Sequence, residues 1–141
     1  MTTAIDTGTP DLLASLDAGV LTLTLNRPEA RNAMSAAMNQ ALQQQLAAAE
    51  LDPAVKCVVL TGAGKGFCAG GDVKGMAASG DGTVGARTID EAIARQRINQ
   101  RATAGKLFKM PKPTIAALPG AAAGAGLALA LACDLRVMAS S

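Results

Sequence analysis

The chain has 141 residues, room for one domain with its own core, and 50% of them are hydrophobic against 17% charged, a balance of globular rather than disordered proteins. A dispersed net charge of +2, two phenylalanines and no Trp or Tyr leave neither the basic footprint nor the stacking platforms of a nucleic-acid binder. Histidine is absent, which removes the commonest general base, the Ser-His and Cys-His nucleophile pairs and the usual zinc ligand.

With 31 alanines, burial must come from close backbone approach and aliphatic packing rather than from large rings. Cys57, Cys68 and Cys133 are odd in number and match no metal or redox spacing, so they read as reduced thiols of a cytoplasmic protein with no metal site. Met1 to Pro10 shows neither a basic segment nor an apolar core, so no secretory signal is visible, and residues 1–11 read as a flexible tail.

Leu12 to Leu16 and Val20 to Leu25 alternate apolar with small or polar residues around Asp17-Ala18-Gly19, the pattern of a β-hairpin. After Asn26-Arg27-Pro28 and a polar loop ending at Asn32, Met34, Met38, Leu42 and Leu46 recur every four positions, which predicts an amphipathic helix closed by Asp52-Pro53. Met34 and Met38 could line a ligand site, although a core stripe is the plainer reading.

A strand from Lys56 to Thr61 then leads into Leu60 to Lys74, reading LTGAGKGFCAGGDVK. Its glycines free the backbone to turn amides toward a ligand, and Asp72 is placed to cap a short helix. Amides gathered at a helix start suit a phosphate, or an oxygen that becomes negative during a reaction. A dinucleotide fingerprint from Gly62 fails at Phe67, and a P-loop fails at Gly66, where Ser or Thr should follow Lys65. A tight strand-to-helix connection without a ligand is the bland alternative. Cys68 lies inside this loop but has no His to activate it, so it reads as a small packed side chain.

Residues 77–88, glycine-rich with little apolar content, read as a mobile surface loop. A helix over Ile89 to Phe108 follows; Arg87 to Lys112 holds seven Lys or Arg against Asp90 and Glu91, more often a solvated face than an anion site. Thr114 to Cys133 carries no formal charge and is long enough to raise a membrane span, but Pro119, Gly120, Gly124, Gly126 and many alanines argue against insertion. The better reading is a strand Thr114 to Leu118, a second glycine loop Pro119 to Ala123, a helix Gly124 to Ala132 and a strand Asp134 to Ala139, so the whole is mixed α/β.

These segments resemble the crotonase, or enoyl-CoA hydratase/isomerase, superfamily. The matching stretches are LTLNRPEARNAM from Leu23, DPAVKCVVLTGAGKGFCAGGDVKGM from Asp52 and KPTIAALPGAAAGAGLALALACDLRV from Lys112, with the amphipathic helix between the first two. The resemblance implies an α/β, crotonase-like spiral of strand-strand-helix turns, of which this chain resembles the N-terminal half. Its shared chemistry is stabilisation of an acyl-CoA thioester enolate by two backbone amides, here those of Gly71 and Ala125. It further places Arg27, Ala30, Ala69, Gly70, Asp72, Val73 and Gly124 along the CoA groove, with Lys65 and Lys74 near the CoA phosphates. Coenzyme A would enter as the substrate thioester, with no separate cofactor, and full-length relatives build trimers.

The pattern also departs from the family. Ala128 stands where hydratases carry a catalytic glutamate, and the second acidic position falls in a segment beyond Ser141. The resemblance makes Asp72 a structural cap and Asp134 part of a structural element. A complete version is therefore expected to be isomerase-like, and this chain inactive alone; a non-catalytic acyl-CoA-binding or assembly module is the alternative.

Overall fold

Six strands lie side by side in one sheet in sequence order, in a computed structural model that describes residues 1–78 and 88–140, the side chains of 76–78 excepted. The first three, β1 (Thr3–Ile5), β2 (Leu12–Asp17) and β3 (Val20–Leu25), run antiparallel, and β3, β4 (Cys57–Gly62), β5 (Thr114–Leu118) and β6 (Leu135–Met138) run parallel. The β2–β3 hairpin closes through Ala18 and Gly19, both with positive φ (49° and 83°), a two-residue turn whose twist matches that of the strands it joins. Residues 1–11, expected as a flexible tail, include β1, which pairs with β2 from Thr3↔Leu16 to Ile5↔Ala14.

Each parallel connection carries helix. Between β3 and β4 lies α1 (Ala36–Leu51); between β4 and β5 come α2 (Val73–Ala78), α3 (Ile89–Ala102) and α4 (Ala104–Phe108); between β5 and β6 lies α5 (Ala125–Ala132). The expected mobile loop, 77–88, falls mostly outside the described residues. Ser35 starts α1: its Oγ accepts the Met38 amide at 3.1 Å and donates to Asp11 Oδ2 at 2.5 Å. At the other end Lys112 Nζ donates to the carbonyls of Ala49 and Asp52, cations at a helix C-terminus being favoured by its dipole.

Period-two burial identifies the packed face of the sheet. Leu21, Leu23 and Leu25 of β3, Val58 and Leu60 of β4, and Ala116 and Leu118 of β5 are buried, while the residues between them are half-buried. Met38, Leu42 and Leu46 of α1, Leu107 of α4 and Leu129 of α5 belong to the same core, as does Phe67. Met34 and Met38 are thus core residues, and Met34 precedes the helix rather than starting it.

The single helix expected over 89–108 is two. Thr103 breaks it with φ −113° and ψ −90°, its Oγ1 donating to the Asn99 carbonyl at 2.8 Å. This turn buries Leu107 in the core and leaves α3 with no buried residue. Among the described residues no helix is long and apolar enough to cross a membrane, and the uncharged run 114–133 divides into strand, loop and helix.

Candidate functional site

The two glycine loops leave the C-terminal ends of neighbouring parallel strands β4 and β5, so the sheet sets them next to each other before any side chain contributes. Backbone hydrogen bonds then join them: Phe67 N–H and Cys68 N–H donate to Ala121 O at 3.0 and 3.3 Å, and Ala123 N–H donates to Cys68 O at 2.9 Å. Cys68 and Ala122 form a parallel bridge, and the Lys65 carbonyl presses against Gly120 where a Cβ would stand.

At the far end of this seam Gly70 and Gly124 meet. Both have positive φ, 104° and 53°, and a Cβ on Gly70 would come within 3.0 Å of Ala123 O and 3.5 Å of Ala125 N. Glycine is required there twice over, by backbone conformation and by close approach. Gly71 follows Gly70, and Ala125 opens α5. Among the described residues neither of their amides donates a hydrogen bond, and Gly71 is half-buried while Ala125 is exposed. The Ala125 amide is a first-turn helix donor, which has no partner within its helix, and both amides are available to an acceptor from outside the chain.

The first loop also rests on residues 31–34. Ala69 N–H donates to Arg31 O at 3.0 Å, Met34 N–H to Gly70 O at 2.8 Å, and Met34 and Gly71 form a parallel bridge. Arg27 spans the same region: its Nη1 donates to Ala33 O at 2.7 Å and to Asp72 Oδ2 at 3.3 Å, and its Nε lies 3.9 Å from Asp11 Oδ2. Asp72 Oδ1 accepts the Gly75 amide at 3.1 Å, so one carboxylate oxygen caps α2 while the other holds Arg27. Both oxygens are thus engaged within the chain.

The remaining expected residues separate by exposure. Lys65, Ala69, Val73 and Lys74 are exposed around the loop, Ala30 is half-buried at the end of a 3-10 turn (Pro28–Ala30), and neither lysine is paired with a described residue. Ala128 is exposed in the first turn of α5 and brings no ionisable group there. Asp134 Oδ2 accepts from Thr114 N at 2.9 Å and from Thr114 Oγ1 at 3.2 Å, tying β5 to the start of β6. Cys68 Sγ sits 3.1 Å from the Asn32 carbonyl; burial pushes its thiol pKa up, and a hydrogen bond with Gly70 only partly offsets this. A thiol held protonated packs rather than attacks. Among the described residues no cluster of three or more His, Cys, Asp or Glu could hold a metal ion.

One residue at the centre carries no sequence signal of its own. Asn32 looks like the last residue of a polar loop, yet it is 1% exposed and its side chain binds three backbone groups of two different segments. An asparagine at the end of a polar loop gives no hint of this; its left-handed φ (57°), which asparagine tolerates, is a feature of the folded chain.

The chain matches the enoyl-CoA hydratase/isomerase family over residues 15–141. It is 40% identical over 130 residues to the 1,2-epoxyphenylacetyl-CoA isomerase of Escherichia coli (strain K12), covering 92% of this chain and 48% of that protein. A solved Pseudomonas aeruginosa protein superposes with a TM-score of 0.80 at 41% identity, over 94% of this chain and 54% of the other. The enoyl-CoA hydratase of Bacillus anthracis superposes with a TM-score of 0.78 at 32% identity, over 93% and 48%. The chain thus spans about half the length of the relatives it matches. With the matched segment covering both glycine loops and the sheet that pairs them, the chain belongs to the enoyl-CoA hydratase/isomerase family and has its crotonase fold.

Proposed function

We propose that the amides of Gly71 and Ala125 form an oxyanion hole for the thioester oxygen of an acyl-CoA, stabilising the enolate formed when a proton leaves the α-carbon. The observation that carries this reading is the pair of amides that find no acceptor among the described residues, at the end of the seam between the two loops. An enolate oxygen gains its charge only along the reaction, so fixed amide dipoles favour the transition state over the bound thioester. Arg27, Ala30, Ala69, Gly70, Val73 and Gly124 border the acyl-CoA groove, and the ammonium groups of Lys65 and Lys74, paired with no described residue, meet the CoA phosphates.

Acid and base chemistry sets the type of reaction. Hydration needs an acid and a base flanking the double bond, whereas moving the bond needs one carboxylate as a shuttle. Ala128 supplies neither, Asp72 has both oxygens engaged, and Glu50 is paired with Lys106 at 2.6 Å. With no described carboxylate at the Ala128 position, the reading for the whole protein is isomerase-like, with these 141 residues inactive alone. The described carboxylate next to Gly71, Asp72, has both oxygens engaged, and this supports a second reading, a non-catalytic acyl-CoA-binding module.

Calorimetry with CoA and with a 3-ketoacyl-CoA, whose enolate carries the charge, tests the oxyanion site. The wild-type chain should prefer the enolate-forming ligand, and Gly71→Val should lose that preference while keeping its circular dichroism. Unchanged preference in Gly71→Val would exclude Gly71 from the site. Hydration of a short enoyl-CoA by the chain alone, abolished by Asp72→Asn with CoA binding intact, would overturn the assignment of roles.

A further inference from the structure

We propose that Asn32 is a positioning residue that sets where the Gly71 amide points, an inference that rests on the oxyanion reading above. Its side chain fills the space between the end of β3 and the glycine loop. Asn32 Oδ1 accepts the Arg27 amide at 2.8 Å, and Nδ2 donates to Ala63 O at 2.9 Å and to Gly66 O at 3.1 Å. Its backbone carbonyl lies 3.1 Å from Cys68 Sγ, and that sulfur in turn accepts the Gly70 amide at 3.5 Å. One residue therefore touches the loop at its entry, through Ala63 and Gly66, and at its centre, through Cys68.

The backbone of the same residue fixes the other side. Arg31 and Asn32 both have left-handed φ (53° and 57°), and this double bend presents Arg31 O to the Ala69 amide and Met34 N–H to the Gly70 carbonyl. With Gly70 O held by Met34, the peptide plane linking Gly70 to Gly71 is fixed in orientation, and that plane carries the Gly71 N–H. A buried primary amide suits the position because it offers a donor group to two carbonyls and an acceptor to one N–H. A carboxylate of the same shape would face those two carbonyls with no proton to give, and an unmet buried acceptor weakens the contact about 10- to 100-fold.

The experiment compares Asn32→Asp and Asn32→Gly, the second keeping the left-handed backbone while removing the side chain, in the intact 141-residue chain. Amide exchange should speed up at Ala69 and Met34 by about ten-fold or more, while amides of β3 to β5 keep their protection. The preference for a 3-ketoacyl-CoA over CoA should fall by about ten-fold, with affinity for CoA itself little changed. A purely structural asparagine would lower both affinities together. Equal affinity of the wild-type chain for the two ligands, absence of binding included, removes the oxyanion reading. A wild-type preference that survives in either folded variant removes the role of Asn32 alone. Loss of native circular dichroism in both variants also counts against it, since Asn32 would then specify the fold rather than the amide.

Discussion

Replacing Phe67 by alanine should cost the chain about 3–5 kcal/mol of stability, the range for emptying a buried aromatic site. Phe67 is 0% exposed and is the only aromatic side chain in the core; the other phenylalanine, Phe108, is 74% exposed. The cavity would be slow to collapse because the backbone around it is held on two sides. Phe67 N–H is bonded to Ala121 O at 3.0 Å, and the Phe67 carbonyl sits against Gly62 at the end of β4. Restricted relaxation keeps the loss from falling to the low end of the range, at about 4 kcal/mol. With a urea dependence of about 2 kcal/mol per M, the unfolding midpoint moves down by about 2 M. Phe108→Ala is the control, expected within about 0.5 kcal/mol of wild type. Since Trp and Tyr are absent, unfolding is followed by far-ultraviolet circular dichroism. A loss below about 1 kcal/mol for Phe67→Ala, or equal losses for both variants, would refute the assignment of the core to this ring.

Burial pushes the Cys133 thiol up to about 11 from 9.0, a larger effect than its hydrogen bond with Thr114 relieves. The raised value means that the folded state resists ionisation: its stabilising effect is complete below pH 9 and fades as pH rises toward 11. The loss is about 2–3 kcal/mol, and Cys133→Ala should flatten that slope in urea titrations at pH 8, 9.5 and 11. An identical slope in the variant would contradict it. Ser35→Ala should cost about 1–2 kcal/mol through loss of the α1 cap, with Ser35→Thr retaining most of it; equal urea midpoints for the two variants would assign the cap no role. Lys65→Ala should weaken CoA binding about five-fold or less at low salt, and the effect should fade as salt rises. The calorimetric check is a dephosphorylated pantetheine thioester, whose binding should not respond to the substitution.

Local chemistry was enough to place most elements. The Asp17-Ala18-Gly19 turn, the four-residue spacing from Met38 to Leu46, and the charge-free alternation of Thr114 to Leu118 each depend on neighbours within a few positions, so hairpin, helix and strand follow from the residues themselves. The same holds for Asp72 as a cap, because an N-cap is satisfied three residues away. Segments whose structure depends on a partner element rather than on their own pattern are not legible in this way. The strand at Thr3–Ile5 exists through its pairing with β2, and the break at Thr103 serves to bring Leu107 to a core built by α1 and β4.

The candidate site divides along the same line. Glycines at 70 and 124 announce a backbone free to turn, and this is legible because a left-handed φ is a property of the residue itself. That the two loops meet was decided by the sheet: β4 and β5 are parallel neighbours, so loops more than 50 residues apart in sequence emerge side by side. Asn32 could not have been singled out by its neighbours, since its side chain bonds groups 5, 31 and 34 positions away. A polar residue in a polar loop becomes a buried support only when the rest of the chain closes over it, because burial is a property of the folded surroundings and not of the residue.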